Sequence, residues 1–313
     1  MPLAGADPVG YADAVNAELA SHPYLTVMPA GDDAISALSA APAELLDKVT
    51  VLEAARAVGL EMPPTQVFAS GTAVLAQSAS LTYPLVVKPN TKRYAAARVV
   101  QESDLAAALR DDGPVLVQPY MKGEMHGVLG LMWEARLVAS VHLRYVRLWP
   151  YPCGTVAFAE TIPPSEELNT RLEALLRAHH GVFHADLAGP YLLDLNPRVH
   201  ATLPLATAAG ADLVGMYCDL MSGQMVRPTH GRSGVRFRWI EGDLRTIFGA
   251  VRQGRMSALA AAQALVPRPG EVYGYESFAD AGPAIARLRY AGRHLRGDPE
   301  GAGRTAIARG KTS

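Results

Sequence analysis

Apolar positions recur at helical spacing in the first stretch of the chain, then switch to period-two alternation or short unbroken runs through the middle. Residues 9–21 read as a helix, "YLTVM" at 24–28 as a lone strand, and "PAGDD" as a loop before a second helix. In "ELLDKVTVLEAARAVGL" the residues Leu45, Val49, Leu52 and Ala55 share one helical stripe, with Gly59 as its stop. From Tyr83 the pattern is that of strands: "YPLVVKP", "ARVV", then "VLVQPYM" after a helix "DLAAALR", and "GVLGLMW" turning near Glu134 into "RLVASVHLRYV". Ser165 opens a helix that puts Leu168, Leu172, Leu175 and Leu176 on one face and ends by Gly181. Small-residue helices run to about Ser222, "GVRFRWIEGDLR" follows, and the Gly- and Arg-rich tail from about Arg296 is expected to be disordered. At 313 residues the chain is expected to split into two or three lobes, and no internal repeat is present.

The segment "GVFHADLAGPYLLDLNPR", residues 181–198, reads as a hairpin with polar residues set among leucines. A half-solvated strand pair would show the same alternation. Gly189 suits the left-handed position of a three-residue loop over 187–189, which pairs Asp186 with Pro190 and His184 with Leu192. His184, Asp186, Asp194 and Asn196 would then share one face, with Ala185, Leu193 and Leu195 on the other; a two-residue loop would split them. Two carboxylates and an amide oxygen on adjacent strands make a hard-oxygen site of the kind Mg²⁺ takes, completing its shell with water and phosphate. A zinc site built from His179, His180, His184 and Asp186 fits less well, because those residues fall on different elements and no thiol is near in sequence.

Composition narrows the setting. With 313 residues, 49% hydrophobic and 19% charged, the chain can bury a sizeable core. No apolar run approaches 18 residues, and "MPLAGADPVG" lacks the basic and apolar regions of a secretion signal. Cys153 and Cys218 match no paired-thiol motif. A cytoplasmic protein without membrane contact is expected. The net charge of −1 conceals +8 on residues 227–313, where 15 basic residues face 7 acidic ones. These arginines are scattered singly without interleaved aromatics, so a nucleic-acid partner is not expected. The lone strand near residue 26 offers an edge that a second copy could pair with, which leaves a homodimer open.

Five pieces occur in order: the lysine of "LLDK", the lysine ending "PLVVKP", a polar loop, the connecting "VLVQPYMKGE", and the acidic hairpin closing in "DLNPR". Together they resemble the ATP-grasp superfamily over about residues 47–224, and in particular its carboxylate–amine ligases. The resemblance implies two α+β lobes clasping a nucleotide, with a first lobe at 47–120 and a second at 121–225. A truncated α/β segment (1–46) would precede them, and an appended segment (226–295) and the tail (296–313) would follow. It further implies ATP and Mg²⁺ (or Mn²⁺) as cofactors, and small-molecule carboxylate and amine substrates joined through an acyl phosphate.

By that resemblance Lys48 and Lys88 contact phosphates. Gln118, Tyr120 and Met121 meet the adenine edge, where Pro119 has no N–H to give, and Glu124 accepts from ribose hydroxyls. Arg144, Arg147 and Arg198 surround the transferred phosphoryl group, for which bidentate guanidinium groups are suited. Asp186, Asp194 and Asn196 hold the metal, the neutral amide sparing a site already rich in phosphate charge. For each, a surface or strand-end role is the competing reading. The chain departs from the family in its loop "NTKRYAAAR", which has no glycine to bring backbone N–H groups to phosphate and offers Lys92 and Arg93 instead. The alternative is therefore an ATP-binding protein without ligase turnover.

Overall fold

The computed structural model describes residues 1–91, 95–110, 113–276 and 279–295. Lys92, Arg93 and the tail from Arg296 lie outside the described residues. Two compact units are formed, residues 1–145 with 160–235, and residues 146–159 with 236 onward.

The first unit opens with the helices α1 (Pro8–Ser21), α2 (Asp32–Leu38) and α3 (Lys48–Ala57). Asp47 caps α3, its Oδ1 accepting from the Thr50 N–H at 2.9 Å, and Gly59 closes the helix with φ +78°. Because the cap falls at Asp47, Leu45 belongs to a 3₁₀ turn ahead of the helix and the buried stripe is Val51, Leu52 and Ala55. Residues 24–28 are irregular rather than a strand. An extended segment with no ladder partner gains nothing from strand geometry, and the strand edge that left a homodimer open does not form.

Four short strands follow, β1 (Gln66–Phe68), β2 (Leu85–Pro89), β3 (Ala97–Val99) and β4 (Val115–Pro119), with the helices α4 (Gly71–Leu75) and α5 (Leu105–Ala108) between them. They form an antiparallel sheet in the order β1-β4-β2-β3. Period two divides its faces: Leu85, Val87, Val99, Val115 and Val117 enter a core with Phe68, Val74 and Leu105. Val86 is the cross-strand partner of both Arg98 and Gln118, so Arg98, Lys88 and Gln118 lie together on the opposite face.

The second sheet of this unit takes β5 (Met125–Trp133), β6 (Arg136–Trp149, in this unit to Tyr145), β8 (Gly181–Ala188) and β9 (Tyr191–Asn196) in the order β6-β5-β8-β9. The end of β7 (Thr155–Ile162), the helices α6 (Glu166–Leu175), α7 (Leu203–Ala208) and α8 (Leu213–Met221), and β10 (Thr229–His230) complete the unit. One sheet face packs Val128, Phe183, Ala185, Leu187 and Leu195 against Val51 and Ala55 of α3 and against Leu172 and Leu176 at α6. Each Val, Leu or Phe side chain removed from water contributes about 1.5–3 kcal/mol, which fixes that face as the inner one. The other face carries the polar residues of the hairpin.

The hairpin turn is tighter than its spacing suggests. Ala188 pairs with Tyr191, leaving only Gly189 and Pro190 in the loop, and Gly189 takes φ +54°. A two-residue loop by itself would have put the acids on opposite faces. A β-bulge prevents this: Leu187 pairs with Leu192 and Asp186 with Asp194, so Leu193 is the extra residue. Asp186↔Asp194 and His184↔Asn196 are thus cross-strand pairs on one face, in a different register from the expected Asp186–Pro190.

The second unit contains residues 146–159 of β6 and β7 together with β11 (Arg236–Arg238), α9 (Ile240–Arg252), α10 (Ala258–Leu265), β12 (Glu271–Tyr273) and α11 (Gly282–Leu295). Its interior is ionic. Asp243, 1% exposed, receives Arg147 Nε and Nη2 (the latter at 3.0 Å) and Arg238 Nη1 at 2.7 Å, while Arg238 Nη2 donates to Glu271 at 3.0 Å. The Phe158 ring lies 4.4 Å and 4.8 Å from the two guanidinium carbons. Among the described residues no helix is long and apolar enough to cross a membrane.

Candidate functional site

In the first unit, Asn90 ties the start of α3 to the end of β2. Its carbonyl accepts from the Lys48 N–H at 3.2 Å, its Oδ1 from the Val49 N–H at 3.1 Å, and its Nδ2 donates to Asp47 Oδ2 at 2.5 Å. Lys48, the first helical residue, is thereby aimed at β9, where its ammonium pairs with Asp194 Oδ1. Lys88 reaches the same strand from β2 and donates to the Leu193 carbonyl at 2.7 Å. Leu193 is the bulged residue, so a break in the strand ladder becomes the acceptor for a buried cation. Burial holds the Lys88 ammonium down to about pKa 8; the nearby Asp194 charge opposes that shift, Lys48 adds to it and Asp186 opposes it. Leu45, Val51, Leu52, Met62, Leu192 and Leu195 complete an apolar-walled cavity around Lys48, Lys88 and Asp194.

Asp186 and Asp194 face each other across the ladder, an arrangement that repels unless donors or cations intervene. Lys48 supplies a cation to Asp194, and the Tyr145 hydroxyl donates to Asp186 Oδ1 at 2.6 Å. Asn196 sits between neighbours: its Nδ2 is 3.5 Å from Asp194 Oδ2, and its Oδ1 accepts from Arg198 Nη2 at 2.9 Å. Arg198 Nε also donates to Asp32 Oδ1 at 2.5 Å, so the N-terminus of α2 reaches the site through an ion pair that crosses 166 positions of sequence. The Asn196 oxygen expected to face a metal is directed at Arg198 here.

Of the residues expected around adenine and ribose, Gln118 is buried on the face shared with Lys88, and its Nε2 donates to Thr65 Oγ1 at 2.8 Å. The Tyr120 N–H is committed to the Pro84 carbonyl at 3.0 Å, which removes it as an adenine donor and leaves Met121. Instead the Tyr120 ring supports Arg98, whose guanidinium carbon stands 4.3 Å from the ring centre. Glu124 Oε1 lies 3.5 Å from Arg144 Nε, and Arg144 Nη2 lies 3.5 Å from Glu160 Oε2. The Arg147 guanidinium is committed to the ion network inside the second unit, where buried Asp243 demands a cation, rather than to a phosphoryl group as expected. Asp47, Asn90, Arg98 and Tyr145 were not expected. For Arg98 a signal existed in its cross-strand register with the lysine strand.

The carboxylates of Asp186 and Asp194 are hard oxygen donors of the kind a divalent cation shared with phosphate takes, and two lysines stand beside them, although no group of three or more His, Cys, Asp or Glu side chains that could hold a metal occurs among the described residues. The donors present fit such an ion. The arrangement of the two sheets is that of the ATP-grasp fold.

No family model matches the sequence, and no curated protein does. Among solved structures, the chain is similar to the L-amino acid ligase of Bacillus licheniformis (19% identity, TM-score 0.52, 69% of this chain and 62% of that one). It is also similar to the biotin carboxylase domain of the Hydrogenobacter thermophilus 2-oxoglutarate carboxylase, solved with MgADP, ADP and bicarbonate (11%, 0.53, 74% and 55%). A third is PurK, an N5-carboxyaminoimidazole ribonucleotide synthetase, solved with ADP (15%, 0.51, 68% and 60%). At these identities the likeness is one of fold, and the chain spans 55–62% of the length of the three.

Proposed function

We propose that the chain is an ATP-dependent ligase that joins a small carboxylate to an amine through an acyl phosphate. The observation that carries this reading is the cross-strand pair Asp186 and Asp194, met by Lys48 from α3 and accompanied by Lys88 from β2. Asp186 and Asp194, with Asn196, would hold Mg²⁺ (or Mn²⁺), which when bound neutralises phosphate charge. Lys48 and Lys88 lie along the phosphates, Gln118 and Met121 meet the adenine edge, and Glu124 takes the ribose. Arg144 and Arg198 draw a carboxylate anion and a phosphate anion together, which is the electrostatic barrier of the first step. A carboxylate oxygen bonds to the γ-phosphorus as the bond to ADP breaks; the amine nitrogen then bonds to the acyl carbon, phosphate leaves, and the amine gives up a proton. Neighbours of the same fold described with ADP, and one named for ligating L-amino acids, support the reading.

The test is ADP release by wild type and Asp194→Ala over pooled carboxylates and amines, with hydroxylamine added to trap the acyl phosphate as a hydroxamate. Ligation predicts release that depends on a particular pool, yields hydroxamate and disappears in the variant. Equal release by both proteins would overturn it. The glycine-free loop favours a second reading, nucleotide binding without turnover, under which MgATP raises the melting temperature while no pool releases ADP.

A further inference from the structure

The Asp186 carboxylate is held by a device whose parts come from three adjacent strands. Tyr145 on β6 is 7% exposed, and its hydroxyl lies 2.6 Å from Asp186 Oδ1 and 2.8 Å from His184 Nε2. One phenolic proton can go to only one of these neighbours. An ionised carboxylate accepts only, so the proton goes to Asp186 and His184 Nε2–H donates to the phenol oxygen, an assignment made by counting donors. His184 is fully buried and stacks flat on His200, with ring centres 3.7 Å apart and planes 4° from parallel. His200 in turn is fixed by Thr202, whose hydroxyl lies 2.8 Å from its Nδ1.

The intervening strand makes room. Gly127 on β5 is the cross-strand partner of Asp186, and a Cβ there would collide with the Tyr145 hydroxyl and stand 3.0 Å from the Ala185 carbonyl. Tyr145 therefore crosses β5 only because position 127 has no side chain. Oδ1 meets the phenol and Oδ2 lies 3.5 Å from His184 Nδ1, so both carboxylate oxygens are placed by the same two side chains.

We propose that Gly127, Tyr145 and His184 are positioning residues that lock the Asp186 carboxylate in the orientation in which it binds a divalent cation. This rests on the metal role proposed for Asp186. Partners that orient a metal ligand typically govern 10–100-fold in metal affinity, which sets the expected scale.

The experiment titrates Mg²⁺ into the full chain at fixed ATP, following the melting temperature, for wild type, Tyr145→Phe, Gly127→Ala and the double variant. Direct uptake of Mn²⁺ by electron paramagnetic resonance is the second readout. Tyr145→Phe is expected to raise the metal midpoint about 10–100-fold. ATP affinity at saturating metal stays within about threefold of wild type, a separation that general loss of structure would not give. Gly127→Ala, which leaves the tyrosine but displaces its hydroxyl, is expected to match it, and the double variant to be no worse than Tyr145→Phe alone. Should Tyr145→Phe fail to fold, Gly127→Ala carries the test. A metal midpoint within twofold of wild type in the folded variants overturns the proposal and leaves the metal site standing. A wild-type chain that takes up neither Mn²⁺ nor nucleotide overturns both.

Discussion

Replacing Lys88 by methionine separates the cost of the site from its use. The side chain is 6% exposed, and its pKa falls from 10.5 to about 8, mainly through burial. A fall of that size corresponds to about 3 kcal/mol spent in keeping the ammonium charged inside the fold. Methionine of similar length removes that cost but leaves the Leu193 carbonyl without its donor, a pH-independent loss of about 1 kcal/mol. At pH 7 Lys88→Met is thus expected to be more stable than wild type by about 2 kcal/mol. The sign with pH follows from proton counts. Between pH 8 and 10.5 the unfolded lysine is protonated while the folded one is not, so wild type gains stability as pH rises through this window. The variant should therefore lose its advantage, with wild type ahead by about 1 kcal/mol near pH 10.5. Urea unfolding of both proteins from pH 7 to 10.5, without nucleotide, reads the difference directly and cancels titrations common to both. A gap that does not change across this range, or a variant less stable at pH 7, would show that the buried ammonium does not cost the fold stability. In the same variant the stabilisation by MgATP should be lost, as expected where a site holds a charge at the expense of the fold.

Other outcomes follow from the same geometry. Arg147→Ala should destabilise the chain by about 3 kcal/mol, because Asp243 loses a buried cation, while the affinity of the folded fraction for MgATP stays unchanged; unfolding and binding curves check both. Phe183→Ala, at a fully buried position in the core beneath the hairpin, should cost about 3–5 kcal/mol in chemical unfolding. Asp47→Ala removes the cap of α3 and the Asn90 anchor, and should cost about 1 kcal/mol in unfolding while weakening MgATP binding through misdirection of Lys48.

The lysine strand, the acidic hairpin and their order along the chain were legible because each is a local pattern: an apolar run ending in Lys88, and acids at even spacing beside a turn. The register of the hairpin was not. Spacing alone favoured a three-residue loop, whereas the chain uses two residues and recovers the shared face with a bulge at Leu193, and only the paired strand reveals which residue is extra. The same limit explains Arg147. Its sequence neighbourhood resembled that of a phosphate-binding arginine, but its partner Asp243 lies 96 positions later on a helix whose packing local periodicity does not specify. Tyr145 was hidden for a related reason, since its contact with Asp186 depends on an intervening glycine strand. Long-range ion pairs and cross-strand contacts belong to topology, and a single sequence carries topology only where a family pattern happens to repeat it.

On the proposed reading, oxygens of Asp186 and Asp194 bind a divalent cation that carries a triphosphate beside Lys48 and Lys88. Isothermal titration of ATP into the wild-type chain and into Asp194→Asn, each with Mg²⁺ and with chelator, decides whether they do. Saturable binding by wild type that requires the metal and vanishes in the variant is predicted. Binding of equal strength with and without metal, or in the variant, would contradict it.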